Sequence, residues 1–298
     1  MINNFRYFFD IVKAQKVKRK LVLAAAEDEN AMESVQRAFN EEIIEPIFVG
    51  NKQKVYEIAD KIQFDISRFE FISENEPIKS AQIAIQIIRD HRADILMKGF
   101  IQTSDYLRAI LNKEQGIRGV DLLSHISFFE IPAYHKVLAV SDVALIVKPT
   151  FDEKVSMIQN GVNLFHHLNI PNPKVAVLAS IETVNPNMPA CVDAAMLTMM
   201  NKRHQINGCI IDGPLAFDNS ISKESAEHKG IKSEVAGDAD FILVPNIEVG
   251  NALYKSFTYF GGATVAGVVL GAQVPVILTS RSDSERSKLA SIVLAACY

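Results

Sequence analysis

Three segments place a cation, a hydroxyl or amide side chain and a turn-forming residue at the end of an apolar run, the grouping needed to hold an anion. The first is DILMKGFIQTSDYLRAIL, residues 94–111, in which Lys98 and Gly99 close the run, Thr103 and Ser104 stand where a helix would be capped, and Arg108 follows on its second turn. A Ser or Thr cap takes one of the helix's unpaired N–H groups, and the remaining donors can face negative charge. The same residues also fit an ordinary strand-to-helix turn with a surface arginine.

The second segment is PNIEVGNALYKSF, residues 245–257. Gly250 would let the backbone approach a ligand, Asn251 could cap, and Lys255 would reach back over the helix start. A turn glycine and a solvated lysine give the same pattern, and Glu248 opposes direct phosphate contact unless it faces elsewhere. The third segment is VPVILTSRSDSERSKL, residues 274–289, where an apolar strand delivers Thr279, Ser280 and Arg281 and then Ser282 or Asp283 caps a helix. Arg281 could bind phosphate bidentately and Asp283 could pair with it or accept a proton; a structural ion pair is the bland version.

These segments need elements to position them. Short apolar runs, such as KLVLAAA, EPIFVG, DILMKG, KVAVLAS and DFILVP, alternate with stretches of helical periodicity, which implies parallel strands joined by crossover helices. In the middle, GVDLLSHISFFEI, KVLAVS and VALIVKP come one after another with turns between them, so local antiparallel pairing and a domain boundary are expected there. The domains expected are residues 1–135 with 280–298, and residues 136–279. Ligands of open parallel sheets lie off the carboxyl ends of the strands, where all three segments sit.

The rest of the chain excludes several functions. Its 298 residues are 48% hydrophobic and 22% charged with a net charge of −4, which fits a globular protein without general attraction to nucleic acid or anionic lipid. Cys191, Cys209 and Cys297 lack metal-type or disulfide spacing and fit a reducing cytoplasm. The N-terminal residues read as an amphipathic helix, not a signal peptide. The uncharged stretch 256–280 is broken by glycines, Gln273 and Pro275, so it reads as two short buried strands and not as a membrane span. His166 and His167, adjacent on a helix, point about 100 degrees apart and cannot readily chelate one metal. AGDAD, residues 236–240, reads as a turn before a strand; no dinucleotide fingerprint, nucleophile elbow or catalytic cysteine setting stands out. A cleft for phosphate and a second anionic ligand is as far as spacing leads.

At these same residues the chain resembles the phosphate acetyl/butyryl transferase family, and more closely its butyryl branch. KVAVLASIETVNPNMPACVDAA, IIDGPLAFDNSIS, HKGIKSEVAGDADFILVPNIEVGNALYKS and VPVILTSRSDS occur in order, and the likeness runs from Leu21 to Ala296. The resemblance implies two α/β domains with mainly parallel sheets and an interdomain active-site cleft, like the isocitrate and isopropylmalate dehydrogenases, with the last helix returning to the first domain. It implies reversible transfer of a short acyl group, butyryl by the branch, between coenzyme A and inorganic phosphate by direct attack. Acyl-CoA, phosphate and acyl phosphate would be the ligands, with an acyl kinase as metabolic partner and no metal or further cofactor. Holding both reactants in one cleft would supply roughly 7–11 kcal/mol of the barrier.

Site roles carry over on matching positions. Arg281 would hold phosphate, Ser280 would hydrogen-bond the thiol or the developing oxyanion, and Arg108 would be a second anion-binding arginine. The acetyl enzymes carry a basic aspartate six residues after the arginine, where this chain has Ser287; Asp283 is the substitute expected here. Thr103, Ser104, Gly250, Asn251 and Lys255 would complete a phosphate and coenzyme A site. The alternatives are a phosphate acetyltransferase, a non-catalytic relative suggested by Ser287, and a dehydrogenase, whose acidic metal motif is not found. A homo-oligomer is expected, with the Gly/Val-rich stretch around Val265 at its interface.

Overall fold

The computed structural model describes residues 1–119, 122–278 and 283–298. In chain order the elements are α1 (Arg6–Gln15), β1 (Arg19–Ala24), α2 (Glu29–Asn40), β2 (Ile44–Gly50), α3 (Lys52–Lys61), β3 (Glu70–Ser73), α4 (Pro77–Arg89), β4 (Ile95–Lys98), α5 (Thr103–Ile110), β5 (Ser124–Glu130) and β6 (Leu138–Ser141). They continue with α6 (Phe151–His167), β7 (Lys174–Leu178), α7 (Pro189–Lys202), β8 (Ile210–Leu215), α8 (Phe217–Ile221), α9 (Lys223–His228), β9 (Phe241–Leu243), α10 (Ile247–Tyr259), β10 (Thr264–Leu270), β11 (Val276–Ile277) and α11 (Glu285–Ala296). The expected mixed α/β alternation is present.

The chain divides into two compact units, Arg6–Leu123 with Ala266–Tyr298, and Met1–Phe5 with Ser124–Val265. The boundaries expected from sequence stood at 135/136 and 279/280. The first division falls earlier because β5 belongs with β6. The two pair antiparallel, Ile126 opposite Ser141 and Phe129 opposite Leu138, so residues 124–130 join the second unit.

In the first of these units the strand order is β3-β2-β1-β4-β11-β10, with every pair parallel except β10 with β11. Its core strands carry unbroken apolar runs, as strands covered on both faces must: Leu21, Val22, Leu23 and Ala24 are all fully buried. The last helix, α11, packs on α1 and α2 of the same unit. In the other unit the order is β5-β6-β9-β7-β8, parallel from β6 onward.

One expectation is corrected. VALIVKP, residues 143–149, is not a strand, because the Asp142 carboxylate takes the N–H groups of Ala144 and Leu145 that a ladder would need. Two short helices, α8 and α9, lie between β8 and β9, the second capped by Ser222. AGDAD is the turn expected before β9, closed by Asp238 N–H on Val235 O, and it also serves as an ionic hub, since Asp238 and Asp240 both meet Lys136. In the stretch around Val265, the residues Val265, Ala266, Val268, Val269 and Leu270 are buried within the chain itself. The two short strands expected in 256–280 are β10 and β11, and no helix among the described residues is long and apolar enough to cross a membrane.

Candidate functional site

The carboxyl end of β4 is built by close backbone contact. Gly99 N–H donates to Ala24 O at 2.8 Å and Phe100 N–H to Ala25 O at 2.6 Å, which zips β4 to β1 as far as their tips. A Cβ at Gly99 would collide with the Ala25 carbonyl oxygen, so only glycine passes here. The Lys98 side chain is buried and donates to the carbonyls of Gly99 and Ile101, so one of its roles is to hold the loop that leads to α5.

That loop brings Thr103, Ser104 and Arg108 onto one short helix, but not as the sequence suggested. Gln102 is the N-cap residue and makes no side-chain cap bond; Thr103 and Ser104 are the first two helical residues. Because the Gln102 side chain does not cap the helix and Asp105 N–H bonds to Gln102 O at 3.1 Å, the N–H groups of Thr103 and Ser104 are the ones left to face an anion. Arg108 sits one turn above and donates through Nη1 to Asp105 Oδ1 at 2.8 Å. Its side chain is 76% exposed, and so open an ion pair gives little resistance to a phosphate that competes for the guanidinium.

Beside β4 lies β11, parallel to it with Ile277 opposite Met97, so the chain leaves the sheet at Leu278 next to the Lys98–Gly99 tip. The next four residues, including the candidates Ser280 and Arg281, lie outside the described residues, as does the proposed capping residue Ser282. Asp283 is half-buried. Asp283 does not cap α11: the cap is Ser284, whose Oγ accepts from Ser287 N–H at 3.2 Å. Ser287 is buried in the first turn with its Oγ 3.1 Å from that of Ser284, so at the position of the family aspartate this chain has a hydroxyl engaged in its own helix cap.

In the second unit, Gly250 and Asn251 are not a turn. The cap of α10 is Asn246, which accepts from Val249 N–H at 3.1 Å, and the helix has already begun at Ile247. Gly250 does permit a close approach, but to protein: a Cβ there would collide with the Asp142 carbonyl oxygen. Asn251 Nδ2 donates to Val143 O at 3.4 Å. Lys255 lies in the third helical turn, too far along to reach back over the helix start, with its ammonium 5.2 Å from the ring centre of Tyr254 and 6.0 Å from that of Tyr259. Gly250 and Asn251 fasten α10 to the segment after β6.

Sequence reasoning missed Asp142. Its carboxylate is buried and accepts from the N–H groups of His125, Ala144 and Leu145, each at 2.7 Å. An aspartate directly after an apolar run was the available signal, since such residues tie the backbone two and three positions on.

At the opposite, amino end of the strands Asp238 and Asp240 collect cations. Asp238 meets Lys136 at 3.0 Å, Lys174 at 2.5 Å and His135 at 2.9 Å, while Asp240 meets Lys136 at 2.7 Å and accepts from Lys174 N–H. Burial alone would raise the Asp238 carboxyl, but the hydrogen bonds from Lys174, His135 and Lys136 overcome it and hold the group far below the usual carboxylate range. Burial, with these two carboxylates beside it, raises the Tyr134 hydroxyl well above its ordinary value; it donates to Ala239 O. Among the described residues no group of three or more His, Cys, Asp and Glu side chains could hold a metal ion.

With the geometry in place, the comparisons with known proteins agree with one another. The phosphate acetyl/butaryl transferase family model matches residues 8–85 and 74–296. The chain is 42% identical over 296 residues to the phosphate butyryltransferase of Clostridium acetobutylicum, covering 99% of this chain and 98% of that one. It is 39% identical over 280 residues to the phosphate acetyltransferase of Thermotoga maritima, covering 94% and 95%. The crystal structure of a branched-chain phosphotransacylase from Enterococcus faecalis V583 superposes with a TM-score of 0.82 at 31% identity, over 94% of this chain and 99% of that one.

Proposed function

The chain belongs to the phosphate acetyl/butyryl transferase family, and from that premise we propose that it moves a short acyl group, butyryl in preference to acetyl, between coenzyme A and inorganic phosphate. The observation that carries the preference is the 42% identity to a phosphate butyryltransferase along 99% of the chain. A phosphate oxygen attacks the thioester carbonyl carbon, the carbon–sulfur bond breaks, and the thiolate leaves to take up a proton. The products are acyl phosphate and free coenzyme A. Arg281 holds the phosphate and Ser280 donates to the oxyanion that builds on the carbonyl, a contribution worth about 3 kcal/mol where one donor has been removed from such sites. Asp283 exchanges the thiol proton. The first turn of α5 supports the reading by offering the N–H groups of Thr103 and Ser104 and the weakly held guanidinium of Arg108 just past the strand that neighbours the one leading to Arg281. No metal or further cofactor enters this scheme; an acyl kinase would consume the acyl phosphate, and the protein acts in the cytoplasm as a homo-oligomer.

The test is colorimetric release of free thiol from butyryl-CoA and acetyl-CoA, each with and without phosphate. The expected result is phosphate-dependent release with kcat/KM at least about tenfold higher for butyryl-CoA, since each methylene in a fitted pocket is worth about 1–3 kcal/mol. A ratio at or below one would overturn the butyryl preference, and silence with both thioesters from folded protein would overturn acyl transfer.

A further inference from the structure

The segment between β6 and α6, residues 142–150, has no repetitive structure, yet three elements dictate its path. From β5, His125 N–H donates to the buried Asp142 carboxylate, which also binds the N–H groups of Ala144 and Leu145. From α10, Asn251 donates to Val143 O, Ile247 N–H donates to Val147 O at 3.1 Å, and Gly250 lies where any side chain would push the Asp142 carbonyl away. From α6, Thr150 closes a reciprocal cap with Glu153. A loop held at so many points, with its root buried and its tip at Val147 and Lys148 exposed, presents a fixed tip to solvent.

Lys148 differs from those lysines of this unit that pair with carboxylates. Lys136, Lys154, Lys174 and Lys229 each meet a carboxylate within 3.2 Å. The Lys148 side chain has neither a hydrogen bond nor an ion pair among the described residues, and it sits on the carboxyl side of a parallel strand, where such sheets hold their ligands. The carboxylates of the adjoining helix turn do not neutralise it: Glu153 is engaged by the Thr150 N–H and Asp152 is exposed.

We infer that Asp142 is a positioning residue, whose buried carboxylate and the close contact Gly250 permits fix this loop so that Lys148 meets a phosphate group of coenzyme A. The inference rests on the acyl-transfer reading and adds a residue to its binding site. The relevant chemistry is a phosphate oxyanion, which coenzyme A carries in its 3′-phosphate and its diphosphate and which inorganic phosphate supplies as well.

The experiment is calorimetric titration of the full chain with coenzyme A, dephospho-coenzyme A and inorganic phosphate, alongside steady-state kinetics with butyryl-CoA. Lys148→Gln, an exposed change that leaves the core intact, is expected to weaken coenzyme A binding about five- to tenfold, with the loss appearing in KM for butyryl-CoA more than in kcat and shrinking at high salt. Lys148→Arg restores most of it. Asp142→Asn is expected to give the same loss, and the double variant to bind no worse than Asp142→Asn alone, because the two residues act through one contact. Equal losses for coenzyme A and its dephospho form place the contact on the diphosphate; a loss confined to coenzyme A places it on the 3′-phosphate. Lys148→Gln binding as tightly as wild type, additive losses in the double variant, or a shift confined to inorganic phosphate would overturn the inference. Binding separates this outcome from the underlying reading. Wild type that binds coenzyme A but releases no thiol sinks acyl transfer and leaves Lys148 to be judged by its titration, whereas turnover with unaltered Lys148→Gln binding sinks only Lys148.

Discussion

The two ends of the β6, β9 and β7 strands handle charge in opposite ways. At the amino end every cation meets a carboxylate: Lys136, Lys174 and His135 converge on Asp238 and Asp240. At the carboxyl end the buried carboxylate of Asp142 binds only backbone N–H groups, and the nearest lysine of the loop it shapes, Lys148, is left to solvent. Charge that is paired internally stabilises the fold and has little left to offer a ligand. Charge that is presented on a fixed backbone contributes little to stability and remains available for binding. The amino end therefore reads as structural and the carboxyl end as functional.

The largest test of that contrast is Asp238→Asn. It takes from Lys174 its carboxylate and from Lys136, whose side chain is 2% exposed, one of two, Asp240 remaining, and the expected cost is about 3 kcal/mol. Thermal unfolding should shift down by roughly 6–12 °C, while KM for butyryl-CoA at permissive temperature stays within twofold of wild type. A large change in KM with unaltered stability would reverse the assignment of the two ends.

The pH dependence sharpens the same point. The Asp238 carboxyl is lowered in the folded state from its ordinary 3.8, so its stabilisation is fully present above that value and is lost as pH falls through the folded value. Wild type and Asp238→Asn should thus differ most in denaturant midpoint at neutral pH and converge progressively below about pH 4. A gap that widened on acidification would contradict the account.

Two further changes should have smaller effects. Asn246→Ala removes the α10 cap and should cost about 1 kcal/mol in chemical denaturation, because one helix N–H loses its acceptor. Tyr106→Phe should be neutral or slightly stabilising in the same measurement. The Tyr106 hydroxyl is fully buried without a hydrogen-bond partner, and burial raises its pKa, so removing it relieves a desolvation cost. A loss above about 1 kcal/mol for Tyr106→Phe would reveal a partner for that hydroxyl.

The sequence made the fold readable where physics is local. Apolar runs such as those of β1, β2 and β4 are buried on both faces and announce themselves, as do the helices between them. It misled where a single side chain overrides a run: residues 143–149 are apolar enough for a strand, but Asp142 draws their N–H groups into a turn. Asn251 was read as a cap because it comes directly after a glycine, whereas Asn246, directly after Pro245, holds that place and leaves Gly250 to helix packing. The ionic hub was illegible because its partners are separated by up to 104 residues, and only the parallel register of β6, β9 and β7 brings them together. The helix that carries Arg108 was legible because a helix start just past a glycine-ended strand is a local pattern, although the capping residue was misplaced by one position.

The central claim is that acyl transfer is carried from the carboxyl ends of the strands, with Arg281 as the phosphate-holding group. Its most direct test is phosphate-dependent thiol release from butyryl-CoA by Arg281→Ala, measured on protein whose circular dichroism and thermal midpoint match wild type. The account predicts a fall in kcat/KM by two or more orders of magnitude, in line with the loss of about 3 kcal/mol when a charge-stabilising donor is removed. Turnover equal to wild type would contradict it.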